Sequence, residues 1–312
     1  VIPLTAIIPT AGRAATLEKT ILIVLACSPP PSEILVYANG PETANAIEVC
    51  SRFPNVRALS TPESIGPGGA RNALLREART PWVASFDDDS YPIDQDFFAR
   101  AAQVTTSLAT DVVVVACALF EKDAPPAPPS PPAPGLLPCL DFANGACLWR
   151  REAFLKTTGY VPLREAWCME EQDVGLQIYA LGRRVVFAPH LRVFHDSERR
   201  HHDERHIASV TLANVALLIF LRYPFVLWPL GFLQIMRRIF WMTRNGRAAG
   251  IPSGLLMIPS HCGSRLPLRE TQPADKVWSY LQKKRRLQPN VHGPGLLESH
   301  NSAFLISPTR EG

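Results

Sequence analysis

The first 120 residues alternate short apolar runs with helix-like segments, and this alternation narrows the fold more than any other feature. Strand candidates fall at 4–8, 33–38, 56–60, 82–86 and 112–119. Helix candidates lie between them at about 14–27, 42–52, 68–78 and 94–108. Apolar runs interleaved with helical patterns predict βαβ units, hence a mostly parallel sheet covered by helices on both faces. Such sheets bind ligands at the carboxyl ends of their strands, where the strand order reverses. Three strand ends here carry turn or polar chemistry: Pro9 to Arg13, Asn39-Gly40-Pro41 and Asp87-Asp88-Asp89.

The aspartate triplet follows the apolar run Trp82 to Phe86. Three adjacent carboxylates repel one another, and burying one unpaired is costly. A hard divalent cation with oxygen ligands removes the conflict and holds phosphates. The triplet alone fits either a metal–diphosphate site or an acidic turn. Gly66-Pro67-Gly68-Gly69-Ala70-Arg71-Asn72 opens a helix, where glycines allow close approach and the N-terminus attracts anions. Arg71 adds a cation there. A second acidic cluster, Glu170-Glu171-Gln172-Asp173, starts another helix, predicted to run from near Glu170 to Leu181 with Gly182 as its stop. Acids at that position complement the helix dipole, or one of them is a general base with a raised pKa. His195, after the apolar pair Val193-Phe194, could complete a metal shell or be structural. His202 and His206 have the spacing of a helical zinc pair. Asp203 stands where the metalloprotease pattern needs Glu, so this reads as a charged, solvated helix start.

The second half adds a strand-like stretch from Phe142 to Trp149, a helix at about 151–158 and a strand at 184–188. Residues 124–138 are so rich in proline that they read as an exposed, semi-rigid loop between the halves. The run 207–236 is very apolar, but Arg222, Pro224 and Pro229 interrupt it. Neither part reaches the roughly 20 residues needed to span a bilayer. It predicts a helix–break–helix hairpin, buried against the sheet domain or lying in a membrane interface. Arg237-Arg238 and Lys283 to Arg286 could face anionic headgroups. The chain has 312 residues and a net charge of +4, too mild to demand nucleic acid. Its seven cysteines are scattered and form no C-x-x-C pair, which fits reduced thiols in the cytoplasm. No secretory signal is visible, and the chain opens on the strand at 4–8.

Taken in order, the motifs resemble an inverting family 2 glycosyltransferase of the GT-A fold, over about residues 4–200. IIPTAGR is similar to that family's first nucleotide-binding strand and loop, IGPGGARNALLREA to its glycine-rich segment, and FDDDS to its D-x-D region. FANGACLWRREAF is similar to its acceptor-side strand and helix, MEEQDVGLQIYALGRRV to its acidic helix, and VFHD to the histidine that often follows. The resemblance implies an α/β fold, a Rossmann-like and mostly parallel sheet flanked by helices, with a helical C-terminal extension. Residues 1–122 would form the nucleotide-sugar half, 123–138 the proline-rich loop, 139–200 the acceptor and catalytic half, and 201–312 the extension.

The resemblance also implies roles. Asp89 would ligate Mn²⁺ or Mg²⁺, with Asp87 and His195. Pro9, Thr10, Arg13, Asn39, Gly68, Arg71, Asp87 and Asp88 would bind the donor. Glu171 would be the base, with Glu170 as competing candidate, and Asn144, Gly145 and Asp173 would face the acceptor. Partners would be a nucleotide-diphosphate sugar and a glycan or lipid-linked acceptor, with peripheral membrane contact through 207–240 at the inner face of the cell membrane. A homo-oligomer is compatible with the sequence. Two positions depart from the family pattern. Ala38 stands where an Asp that reads the base is expected, and Gln177 stands where an Arg often follows the acidic helix start. The segment after 200 is loosely similar to bacterial rhamnosyltransferase-like members. The rivals are a nucleotidyltransferase acting on sugar phosphates, whose glycine-rich loop should lie nearer the first strand, and a non-catalytic GT-A-fold binding module.

Overall fold

The computed structural model describes residues 2–122, 135–166, 168–197 and 204–287. The elements run β1 (Ile2–Thr10), α1 (Ala14–Leu25), β2 (Pro31–Asn39), α2 (Thr43–Ser51), β3 (Val56–Thr61), α3 (Gly66–Glu77), β4 (Trp82–Phe86) and β5 (Ser90–Pro92). Then come α4 (Phe97–Ser107), β6 (Val112–Glu121), β7 (Leu137–Cys139), β8 (Ala146–Arg150), α5 (Arg151–Phe154), α6 (Glu170–Ala180) and β9 (Arg184–His195). Four helices follow: α7 (Glu204–Arg222), α8 (Trp228–Arg244), α9 (Ile251–Gly263) and α10 (Ala274–Arg286).

The described strands form one sheet in the order β3-β2-β1-β4-β8-β6-β9-β5, with β7 also on β9. β1 pairs in parallel with both β2 and β4, so the chain winds outward in opposite directions from β1. The carboxyl ends of β1 and β4 therefore flank the crevice of a doubly wound sheet. β8 runs antiparallel between β4 and β6 and ties the two halves together.

Side chains alternate between two cores, as a strand period of two requires. Leu4, Ala6 and Ile8 of β1 pack with α1, α2 and α4 on one face. Ile7 packs with α3, α5 and α6 on the other. Ala38 belongs to the first core and is buried.

Several elements differ from expectation. The helix foreseen at 151–158 stops at Phe154, because Leu155 to Thr157 turn back onto Arg151, Ala153 and Phe154. The strand foreseen at 184–188 continues to His195, since β6 keeps pairing with it past a register shift. β5 and β7 are three-residue strands too short to carry a periodicity. Of the proline-rich stretch, 123–134 lies outside the described residues, and its end enters β7. None of the seven cysteines is in a disulfide, and all but Cys168 are buried.

The apolar run resolves into two different helices. α7 packs into a core with Leu163, Met169 and Leu176 and is mostly buried. It is long and apolar enough to cross a membrane by composition, but 78% of that window is buried inside the protein. Arg222 does not break it; it is the buried last residue of α7. The chain then turns at Pro224 into α8, which lies antiparallel on α7. Gly231 sits so close to Ile219 that an added Cβ would approach to 2.4 Å, and Met242 packs on Ala208 and Leu212.

Candidate active site

The triplet leaves β4 at the crevice, and its three carboxylates meet three different surroundings. Asp88 is buried and accepts from Thr10 Oγ1 at 2.6 Å and from Arg13 Nε at 3.1 Å, with Arg13 Nη2 on its other oxygen. Its backbone carbonyl accepts from Thr20 Oγ1 at 2.6 Å. Burial pushes its carboxyl up to about 6, although Arg13 opposes this. Asp88, expected on the donor, here bonds Thr10, Arg13 and Thr20 and so also braces the β1 loop and α1.

Asp89 accepts from Arg13 Nη1 at 2.7 Å on one oxygen and faces His195 Nε2 at 3.3 Å with the other. Burial alone would raise it, but His195 and Arg13 outweigh burial and hold it down at about 2. His195 is delivered by pairing of β5 with β9, which sets Ser90 opposite His195. Burial would lower this imidazole, but Asp89 and Glu121, whose Oε1 lies 3.6 Å from Nδ1, raise it to about 10.

Asp87, Asp89 and His195 each offer one ligand atom, and these atoms lie within 4.8 Å of one another. Two carboxylates and an imidazole suit Mn²⁺, and hard oxygen ligands suit Mg²⁺. Glu121 behind His195 was not foreseen from sequence; such partners orient a ligating imidazole.

Asp87 is half-exposed. Its N–H donates to Ser90 Oγ at 2.6 Å, which in turn donates to the Gly145 carbonyl at 2.7 Å. A Cβ on Gly145 would meet Asp87 Oδ2 at 2.3 Å, so Gly145 is there to let Asp87 sit. Arg71 is fully buried rather than lining an open pocket. Its Nη2 pairs with Asp87, its Nε donates to Ser85 Oγ at 3.2 Å and its Nη1 lies 3.8 Å from Glu170. It therefore joins the triplet to the acidic helix.

Glu170 and Glu171 part company. Glu170 is buried, accepts from Asn144 Nδ2 at 3.0 Å, and is pushed up to about 8 by burial against the pull of Arg71. Glu171 is half-buried, accepts from the Asn144 N–H at 3.4 Å, and burial raises it too. Asn144, foreseen on the acceptor, is buried and joins four internal groups. Its Oδ1 accepts from Tyr160 OH at 2.7 Å, and its carbonyl accepts from Ser85 Oγ at 2.6 Å. The glycine-rich segment has a packing reason as well. A Cβ on Gly68 would meet Glu170 Oε1 at 2.5 Å, and Gly66, at φ +72°, would meet the Leu163 carbonyl at 1.7 Å. At the second strand end, Asn39 Oδ1 accepts from the Ile65 N–H at 2.8 Å and steers the chain into α3. Pro9 is buried within β1.

Asp173, expected on the acceptor, is buried. It is 1% exposed, with Arg222 Nε at 2.5 Å and Nη2 at 3.0 Å on its two oxygens, and Gln177 Nε2 at 3.2 Å. Arg222, 49 residues away, brings the cation that position 177 lacks. Gln177 Oε1 meanwhile accepts from Thr158 N and Oγ1, both at 2.9 Å. The basic runs are partly internal too. Lys284 is buried on Asp141 at 2.6 Å, and Arg238 is buried with its Nη2 4.0 Å from Cys168 Sγ. His206 pairs with Glu165 at 2.5 Å, and His202 lies outside the described residues.

A sequence model of glycosyl transferase family 2 matches residues 5–166, and no curated protein matches the chain. Among solved structures, GalNAc-T7 with UDP, GalNAc and Mn²⁺ is similar at TM-score 0.56 and 14% identity, covering 72% of this chain and 49% of that one. The mannosyltransferase PcManGT from Pyrobaculum calidifontis, in complex with GDP-Man and Mn²⁺, is similar at 0.51 and 14%, covering 92% and 81%. S. aureus TarS 1-349 in complex with UDP-GlcNAc is similar at 0.52 and 13%, covering 76% and 72%. The chain spans about half the length of GalNAc-T7. At such identities the likeness is one of fold, and the fold is GT-A.

Proposed function

The chain belongs to glycosyl transferase family 2, and from that premise we propose a metal-dependent inverting transferase. It moves a sugar from a nucleotide-diphosphate donor to a hydroxyl of a glycan or lipid-linked acceptor. The observation that carries this reading is the junction made by Arg71. It ties Asp87, beside the candidate metal ligands Asp89 and His195, to Glu170 at the head of the acidic helix. The donor-side and base-side carboxylates thereby share one crevice at the switch point of the sheet.

Asp87, Asp89 and His195 would hold Mn²⁺ or Mg²⁺, which would neutralise the diphosphate as it departs. Asp89 is suited to this because one of its oxygens faces His195 Nε2 at 3.3 Å, beside Asp87. Arg13, half-exposed and paired with Asp88 and Asp89, is a cation that diphosphate oxygens would draw toward themselves.

Glu171 is the base in this reading. It is the less buried of the pair, and burial raises its pKa toward the working range of a general base. Its carboxylate takes the proton of the acceptor hydroxyl. The acceptor oxygen forms its bond to the anomeric carbon as the bond from that carbon to the diphosphate oxygen breaks, so configuration inverts. Glu170 positions the site: with Asn144 and Arg71 it fixes the head of α6.

The test is a donor screen that measures nucleoside diphosphate release with Mn²⁺, with Mg²⁺ and with chelator. The reading expects release that needs a divalent metal and a product of inverted anomeric configuration by NMR. Full turnover in chelator would remove the metal role, and retained configuration would remove the single displacement.

A further inference from the structure

α8 is buried on one side only. Gly231, Gln234, Arg238 and Met242 face the protein. The opposite stripe, with the turn that precedes it, exposes Phe225, Val226, Phe232, Leu233, Met236 and Phe240, each 44–73% exposed. Their spacing of three to four residues places them along one side of the helix. At 1.5 Å per residue the stripe is about 22 Å long. Isolated apolar residues on a surface need no explanation, but a continuous aromatic stripe marks an interaction site.

The charge around this stripe is one-sided. Between Glu204 and Glu270 the chain has eight arginines and no Asp, Glu or Lys; Arg222 and Arg238 are buried, and Arg244, Arg247 and Arg269 lie beside the rings of this region. Several flank the stripe directly. Arg269 lies over the Phe225 ring at 4.8 Å, and Arg244 lies over the Phe240 ring at 5.7 Å. Trp228 stands in the stripe, and Trp241 beside it carries Arg247 at 5.5 Å. A second copy docked by a two-fold axis would set these arginines against one another. An anionic lipid surface meets both features: acyl chains take the Phe and Met stripe, and headgroups take the arginines.

We propose that the α8 stripe docks the protein on an anionic bilayer, with α8 lying in the membrane interface and α7 remaining inside the protein. The buried side of α8 reaches the catalytic head, since Arg238 approaches Cys168, two residues before Glu170. On the reading above, which docking itself does not require, the base side of the crevice then lies next to the lipid surface, and the acceptor is carried by a lipid.

The full chain is sedimented with vesicles of phosphatidylglycerol and phosphatidylcholine, and with phosphatidylcholine alone. Binding is expected to the anionic vesicles, to fall in 1 M salt, and to drop at least about tenfold in Phe232→Ser/Phe240→Ser, equivalent to about 1.4 kcal/mol. Donor binding by that variant, measured separately, should match wild type, so a failure of docking is distinct from a failure of the glycosyltransferase reading. Should the double variant not fold, brominated acyl chains should quench wild-type tryptophan fluorescence, and Trp228→Phe should lose part of that quenching. Absent vesicle binding, equal binding by a folded double variant, or a wild-type dimer that the variant dissolves in place of vesicle binding would each overturn the proposal.

Discussion

Replacing Arg222 by Met removes the cation that fastens α7 to α6. The side chain donates to both oxygens of Asp173, to Thr158 Oγ1 at 3.0 Å and to the Glu270 carbonyl at 3.3 Å. Arg222 and Asp173 are each 1% exposed. Met keeps most of the stem packing and loses the charge. Asp173 is then left with Gln177 alone, in a place water does not reach. Removing one partner of a buried pair costs about 3–5 kcal/mol, a large share of the roughly 5–15 kcal/mol that holds a domain together. Urea unfolding at neutral pH should therefore show an unfolding free energy lower by that amount, and a midpoint lower by that amount divided by the m value. Asp173→Asn in the Arg222→Met background removes the stranded charge and keeps a partner for Gln177, so it should restore about 2 kcal/mol or more. The double-mutant cycle isolates the pair. A loss under about 1 kcal/mol for Arg222→Met, or no recovery in the double variant, would refute the assignment of Arg222 as the anchor of α7 on α6.

Three further outcomes follow from the geometry. Glu170 has a folded-state pKa raised to about 8 by burial, above its unfolded value, so wild-type stability should decline as pH rises between roughly 4.5 and 8. Glu170→Gln should flatten that decline in thermal unfolding across the same window and be relatively more stable at pH 9. Gly145→Ala drives a methyl toward Asp87 Oδ2, where an added Cβ comes within 2.3 Å, so Mn²⁺ affinity by electron paramagnetic resonance should fall while circular dichroism stays near wild type. Glu121→Gln takes the charge from behind His195 and should weaken Mn²⁺ binding by about tenfold or more, the usual effect of losing a partner of a ligating imidazole.

The central strands were legible because each is buried on both faces, so β1, β2 and β4 appear as unbroken apolar runs bounded by turns. The acidic triplet and the Glu170–Asp173 cluster stood out because adjacent carboxylates repel one another and call for a cation or other partners. What stayed hidden depends on partners far along the chain. Arg222 looked like an interruption of an apolar run because Asp173 lies 49 residues before it. The bonds of Asn144 to Tyr160, Glu170 and Ser85 were not readable, because these partners lie 16, 26 and 59 residues away. The glycine-rich segment suggested a phosphate cradle, whereas Gly66 and Gly68 also answer to a clash that only the folded neighbours Leu163 and Glu170 create. Ser90 was the one readable hint of the support under Asp87, directly after the triplet. The exposed side of α8 was invisible as such, since a buried and an interfacial apolar helix have similar compositions.

The central claim is that the metal-side carboxylates and the head of α6 form a single catalytic site with Glu171 as its base. Glu171→Gln tests this most directly, with the donor that the screen identifies, by comparing donor binding and transfer in the same preparation. The account predicts donor affinity within about twofold of wild type and transfer slowed by about 10²–10⁴. Transfer at the wild-type rate by this variant would contradict it.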